Sequence, residues 1–260
     1  MRIQDEVEDI FTRLLHLRTQ LAVRTGFANY MEYIFHAQKR VDYGPQDCAS
    51  FHALCRKQIV PLLKNIQEER KTKLGIGVLK PFDLFCDEDG MEPLRPFQGI
   101  GGLMEKSRMV FSRIDPRFGE CFEILCRNRL MDLDSWQGKA PGSYCVNLEE
   151  SGLPFIFMNA TGTQQDVVTL LHEAGHAFHY LAMTDSSHTS PPPLEMRELA
   201  ALGMEIMGVN HLDVFYNDTG DALRAGKQYF QKMITHLTGI AHINSFEQWV
   251  YTHPDHSVRG

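Results

Sequence analysis

"VVTLLHEAGHAFHYLA", residues 167–182, sets three histidines and one glutamate into an otherwise apolar run. Burying polar groups without partners costs free energy, so His172, Glu173, His176 and His179 need a reason to be there. His172-Glu173-Ala174-Gly175-His176 has the spacing HExxH. On a helix of about 3.6 residues per turn, positions i and i+4 share a face, and two imidazoles can grip one metal ion. Glu173 points about 100° further around, where it meets a metal-bound water rather than the metal. Zinc suits the pattern, because three protein ligands leave a fourth position for a water whose pKa falls to about 7. The stretch therefore predicts one Zn2+ ion on His172 and His176, with Glu173 as general base on the zinc-bound water.

His179 is a poor third ligand from the same helix. Seven residues rise about 10.5 Å, whereas ligand atoms sit about 2 Å from zinc. It is expected to support the site, meet substrate or simply pack. The candidates from other elements are Asp185, His188, Glu195, Glu198 and Glu205. Asp185 and His188 lie in the polar loop "TDSSHTSPPP" (184–193), where solvated residues are ordinary. Glu195 follows three prolines, so the preference of acids for a helix N-terminus already explains it. "ELAALGMEIM" (198–207) is apolar apart from Glu198 and Glu205, seven apart and on one face of a helix that reads as buried. A buried carboxylate must be paired or bind metal. Glu198 is accordingly the expected third ligand, and Glu205 is expected to orient a ligand histidine. The small residues Ala174, Gly175, Ala177, Ala200, Ala201 and Gly203 predict a close crossing of these two helices, since glycine in a helix costs up to about 1 kcal/mol relative to alanine.

Working outward, "GSYCVNL" (142–148) and "LPFIFMNA" (153–160) read as a β-hairpin joined by residues 149–152. Thr163 and Asp166 form a capping pair ahead of the HExxH helix. Elsewhere the periodicity is helical: over 4–24, again after Gly26, over 46–73, over about 103–130, over 194–208 and towards the C-terminus. A Gly- and Pro-rich loop covers 75–102. Its "GIGG" has no strand before it and no Lys-Ser/Thr after it, which excludes a phosphate loop. The expected fold is mostly α, a helical zincin-like metallopeptidase core with a small β-hairpin or sheet beside the active-site helix. The expected organisation is a helical region over 1–135, which the family resemblance given below implies lines a substrate channel, and a zinc-binding core over 136–260, or one continuous domain.

The formal charge of −7 and pI near 5.9 argue against nucleic acid as a partner. No apolar run is long enough for a membrane span, and residues 1–20 are too charged for a secretory signal. The six cysteines make no CxxC pair and no disulfide framework. They are expected to be small core or boundary residues in a reducing, cytoplasmic setting. The sequence is silent on oligomeric state.

"LLHEAGHAFHYLA" followed by "ELAALGMEIM" resembles the oligoendopeptidase F branch of the thimet-type zinc metallopeptidases, as do "RTGFANYMEY" (24–33), "GKAPGSYC" (138–145) and "FEQWVYTHPDH" (246–256). The resemblance runs along nearly the whole chain. It implies a helical clamshell around a channel, with the hairpin lining the cleft, and endopeptidase cleavage of short peptides. The strand over 153–160 is expected to pair with the peptide backbone, and Gly142, Ser143 and Tyr144 are expected to touch substrate. Ala201 stands where members often carry serine. Members are also longer, so the resemblance implies a core fragment truncated at both ends, without the C-terminal tyrosines that stabilise the oxyanion. Two alternatives follow: a zinc- and peptide-binding fragment with little or no turnover, and a helical scaffold whose histidines simply pack.

Overall fold

A computed structural model describes residues 3–184, 192–254 and 256. It is mostly helical, with one small sheet, and forms two compact units: Met1–Leu79 with Gln231–Gly260, and Lys80–Phe230.

In the first unit, α1 (Ile3–Arg24), α2 (Tyr30–Ala37), α3 (Pro45–Leu54) and α4 (Val60–Leu74) precede the C-terminal part of the last helix. Gly26, with φ of 86°, breaks the chain between the first two, and the Asn29 side chain caps α2 by accepting from Glu32 N at 3.0 Å. The periodicity over 46–73 appears as α3 and α4 joined by a π-helical turn at Cys55–Ile59. Pro61, just beyond, lacks the N–H that an unbroken α-helix needs, which accounts for the widened turn. The apolar stripe of α1 does form, but the helix buries Leu15 and Ala22 and leaves Val7, Ile10 and Leu17 about 60% exposed. Within this unit Arg18 donates to the Tyr251 hydroxyl and lies over the Tyr30 ring, and His52 bonds Asn244 at 2.9 Å.

In the second unit the helix predicted over about 103–130, with Pro116 and Gly119 interrupting it, is two, α5 (Gly99–Ile114) and α6 (Pro116–Arg127): the break falls at Pro116, whereas Gly119 lies inside α6. Asp115, preceding proline, is extended at φ −158° and ψ 132°, and its carboxylate caps α6 by accepting from Arg117 N at 2.8 Å. The glycines of "GIGG" form the first turn of α5. The preceding loop is held by cations: Lys106 donates to the Pro96 carbonyl at 2.7 Å, and Arg224 to that of Glu92 at 2.8 Å.

After α6 the chain enters β1 (Met131–Asp134), a strand not predicted from the sequence because its four residues carry two acids. The expected hairpin follows as β2 (Tyr144–Leu148) and β3 (Leu153–Ala160), paired antiparallel with Tyr144 opposite Phe157. β1 pairs parallel with β3, so the sheet order is β1-β3-β2. Pro154, Ile156, Met158 and Ala160 alternate into the core, as a one-sided strand requires. They pack on α7 (Gln164–Thr184), which buries Val167, Leu170, Leu171, Ala174, Ala177 and Phe178. Full burial of each large side chain among these stabilises by about 1.5–3 kcal/mol. Asp166 accepts from Thr163 N at 2.7 Å and Thr161 N at 2.9 Å, while its own N–H reaches Thr163 Oγ1 at 3.4 Å, the capping pair at the helix start. Then come α8 (Leu194–Val209) and α9 (Thr219–Thr252), whose first residues, through Phe230, belong to this unit.

None of the six cysteines is in a disulfide; Cys55 is buried, but Cys86 is exposed rather than a core or boundary residue. Among the described residues no helix is long and apolar enough to cross a membrane.

Candidate active site

α7 presents its apolar face to the sheet and to α5 and α6, leaving His172 and His176 half-buried on the face that meets α8. The two imidazoles stand edge to face, 4.8 Å between ring centres. α8 is not buried throughout, as its apolar composition predicts. It buries Ala201, Met204, Glu205 and Gly208, while Leu199 and Ile206 face solvent at 61% and 51% exposure.

The crossing of α7 and α8 rests on Gly175. A Cβ there would sit 2.6 Å from Ala201 Cα and 2.8 Å from the Ala200 carbonyl oxygen, closer than real Cβ contacts allow. Ala201 is thus a packing position at the helix crossing. Gly203 is not part of it, since a Cβ there would meet nothing within 4 Å; Gly208, against Leu171, is the second close approach.

That proximity brings Glu198 to the histidines, 3.7 Å from His172 Nε2 and 3.8 Å from His176 Nε2. One potential ligand atom from each of His172, His176 and Glu198 lies within 4.8 Å of the others, the one such group among the described residues. Ligand bonds of about 2.0–2.2 Å at tetrahedral angles separate ligand atoms by about 3.3–3.6 Å, so the two Glu198–histidine distances are near that spacing, and the set as a whole, within 4.8 Å, fits a zinc ion after closing by about 1 Å. The tautomer also fits. His172 Nδ1 lies 2.6 Å from Glu205 Oε1, and since a carboxylate only accepts, the proton sits on Nδ1 and leaves the Nε2 lone pair for a metal. His176 has a hydrogen bond to the backbone of Arg197.

Burial works to lower the His172 pKa, but the Glu205 bond and the charges of Glu205, Glu173 and Glu198 outweigh it and raise it. His176 is lowered, first by burial and then by neighbouring His172. Glu173, 4% exposed, is raised by burial; His172 and a hydrogen bond from the Ser143 hydroxyl oppose this, while Glu198 and Glu205 add to it.

A cleft of about 350 Å³ opens over these groups, walled by Ser143, Tyr144, Cys145 and Asn147 on one side and by Pro192, Leu194 and Arg197 on another. His179 and Tyr180 line it from α7, further along than the ligand set. Tyr144 stacks on Phe157 at 4.8 Å. Gly142 lies just outside, with φ of 98° and its carbonyl held by Asn159 at 3.0 Å. Glu195 is exposed in the first turn of α8, and Asp185 and His188 fall outside the described residues.

One expectation is overturned here. β3 lies between β1 and β2, with a neighbour on each side at Ile156 and Phe157, so it is the central strand of the sheet and not an open edge for a peptide strand. The edge facing the cleft is β2. Two contacts escaped the sequence altogether: Ser143 on Glu173, and Tyr229 of α9 beside Glu205. Both join residues remote in sequence, and no local pattern announces either.

Fold and site together define a helical core with a His-His-Glu set that could hold a metal ion and a carboxylate beside it. Residues 118–259, more than half of the chain, match the model of peptidase family M3, and the chain belongs to that family. It is 27% identical over 122 residues to the chromosomal oligoendopeptidase F of Lactococcus lactis subsp. cremoris, covering 47% of this chain and 20% of that protein. Group B oligopeptidase PepB of Streptococcus agalactiae serotype III is 25% identical over 120 residues, covering 46% and 19%. The solved structure of PZ peptidase A with an inhibitor superimposes with a TM-score of 0.87 at 29% identity, covering 97% of this chain and 45% of that one. The chain thus spans about a fifth of the curated relatives, and less than half of the solved structure, that it matches.

Proposed function

We propose that this chain is a zinc-dependent endopeptidase acting on short peptides. The observation that carries the reading is the carboxylate of Glu173, buried at the foot of the cleft one residue from His172 in the His172-His176-Glu198 set. When bound by those three residues, a zinc ion supplies Lewis acidity that polarises a peptide carbonyl and acidifies water to a pKa of about 7. Glu205 keeps the His172 proton on Nδ1, so that Nε2 faces the cleft as a base. The Glu173 carboxylate takes a proton from the attacking water and passes it to the leaving amine nitrogen. Ser143, donating to Glu173, holds that carboxylate in place. Burial raises its pKa, bringing the group closer to working pH than an exposed glutamate.

The peptide backbone pairs with the open edge of β2, Tyr144–Leu148, which extends the sheet by one strand. Tyr144, His179 and Tyr180 then meet its side chains from the cleft walls. A cytoplasmic setting fits this reading, supported by six cysteines of which none is in a disulfide.

The test is Glu173→Gln, assayed with a quenched fluorescent peptide alongside metal analysis. Zinc at one ion per chain should remain while cleavage disappears. A variant that cleaves as fast as its parent sinks the assignment of Glu173. A parent that binds zinc and peptide without cleaving either makes this a binding protein instead.

A further inference from the structure

We propose that Tyr229 is a positioning residue for the metal site: its hydroxyl donates to Glu205 and fixes the carboxylate that holds His172. This rests on the zinc-binding reading above and goes beyond it, because Tyr229 lies on α9 and is none of the three proposed ligands.

The Tyr229 side chain is only 2% exposed, and its hydroxyl oxygen is sealed from solvent with no partner at ordinary hydrogen-bond geometry among the described residues. The polar group beside it is the Glu205 carboxylate, itself 4% exposed. A buried hydroxyl left unpaired costs about 1–3 kcal/mol, so a small rotation that closes this bond is favoured. Glu205 has the capacity, since a carboxylate offers about four acceptor positions and His172 is its partner on Oε1.

Donor and acceptor roles are then fixed along the line. Tyr229 Oη–H donates to Glu205, and His172 Nδ1–H donates to the same carboxylate, 2.6 Å away. Burial, together with the Glu205 charge, pushes the Tyr229 pKa up and keeps the hydroxyl protonated as a donor. With two donors from different helices, the Glu205 carboxylate cannot rotate without losing one of them. The imidazole orientation follows, and with it the direction of Nε2.

The experiment measures zinc affinity by chelator competition in the full chain, for the parent, Tyr229→Phe, Glu205→Met and the double variant. Phenylalanine removes only the oxygen and leaves the ring packing in place. Zinc Kd should rise about 3- to 10-fold in Tyr229→Phe, below the 10- to 100-fold typical of a group directly bonded to a ligand. In the Glu205→Met background the same substitution should change nothing, because its acceptor is gone. An unchanged Kd in Tyr229→Phe overturns the proposal, and so does an equal loss in both backgrounds, which would mean that Tyr229 acts through packing alone. If Tyr229→Phe melts far below the parent without metal, Tyr229→Trp and Tyr229→Leu take its place, and loss that follows ring volume rather than the hydroxyl also overturns it. A parent that binds no zinc brings down the site reading together with this one, whereas zinc bound equally by parent and variant removes only Tyr229.

Discussion

Glu198 and Glu205, seven residues apart on α8, sit on opposite sides of the same ring: Glu198 3.7 Å from Nε2 of His172, and Glu205 2.6 Å from Nδ1. One imidazole spans two turns of the neighbouring helix, and the two carboxylates differ in exposure. Glu205 is sealed at 6% side-chain exposure and Glu198 is open to the cleft at 45%. The inner one can only hold the ring, whereas the outer one is free to share a metal with it.

Replacing Glu205 with methionine keeps the volume and removes the acceptor. Zinc affinity should fall about 10- to 100-fold. Isothermal titration or chelator competition reads this directly, and unchanged affinity means that the buried bond does not orient His172.

Two glycines within five positions of a proposed ligand should respond in opposite ways. Gly175→Ala drives a methyl into the backbone of Ala201 and should destabilise by about 1–3 kcal/mol while moving Glu198 away from the histidines. Gly203→Ala meets open space and should be neutral or stabilising by up to about 1 kcal/mol through helix propensity. Denaturant melts and zinc titrations of the pair decide it; equal behaviour contradicts the crossing.

Asp166→Ala removes the acceptor of Thr161 N and Thr163 N at the start of α7. The expected loss is about 0.5–2 kcal/mol of stability, with zinc stoichiometry intact, because the cap lies well before His172. A loss of metal binding as large as that of Glu205→Met would show that the cap governs the site itself.

Cys145 lines the cleft, yet burial first, and the nearby Glu173 charge second, push its thiol up to about 12. Since the thiolate is the nucleophile, on the order of one thiol in 10⁵ is reactive at pH 7, and alkylation should accelerate only as pH climbs towards 12. Exposed Cys86 should be modified long before it. Peptide mapping after iodoacetamide treatment across a pH series tests the order, and early labelling of Cys145 contradicts it.

The polar residues of "VVTLLHEAGHAFHYLA" were legible because they break an apolar pattern on one helix, where about 3.6 residues per turn converts spacing into facing. The hairpin was legible for the same kind of reason, as alternation over Leu153–Ala160 with a turn before it. Thr163 and Asp166 read as a cap because capping is local. β1 was not legible: Met131–Asp134 is short, and it is a strand because Ile156 and Phe157 pair with it from some 25 residues away. The edge position of β2 depends on that missing strand, so the strand expected to pair with a peptide was taken to be β3. Ser143 and Tyr229 reach the site through tertiary packing, which leaves no periodic trace. The exposure of α8 was overestimated as burial because small and apolar residues read alike whether they pack or face solvent.

The fourth letter of HExxH is conventionally a wildcard, but here it carries information about geometry. Gly175 occupies it, and any side chain would collide with the helix that delivers Glu198. A chain with the same two histidines and a larger residue at that place must route its third ligand along a more distant path, or recruit it from another part of the fold. The missing side chain at Gly175 therefore records how the ligand set is assembled, one letter before the second histidine.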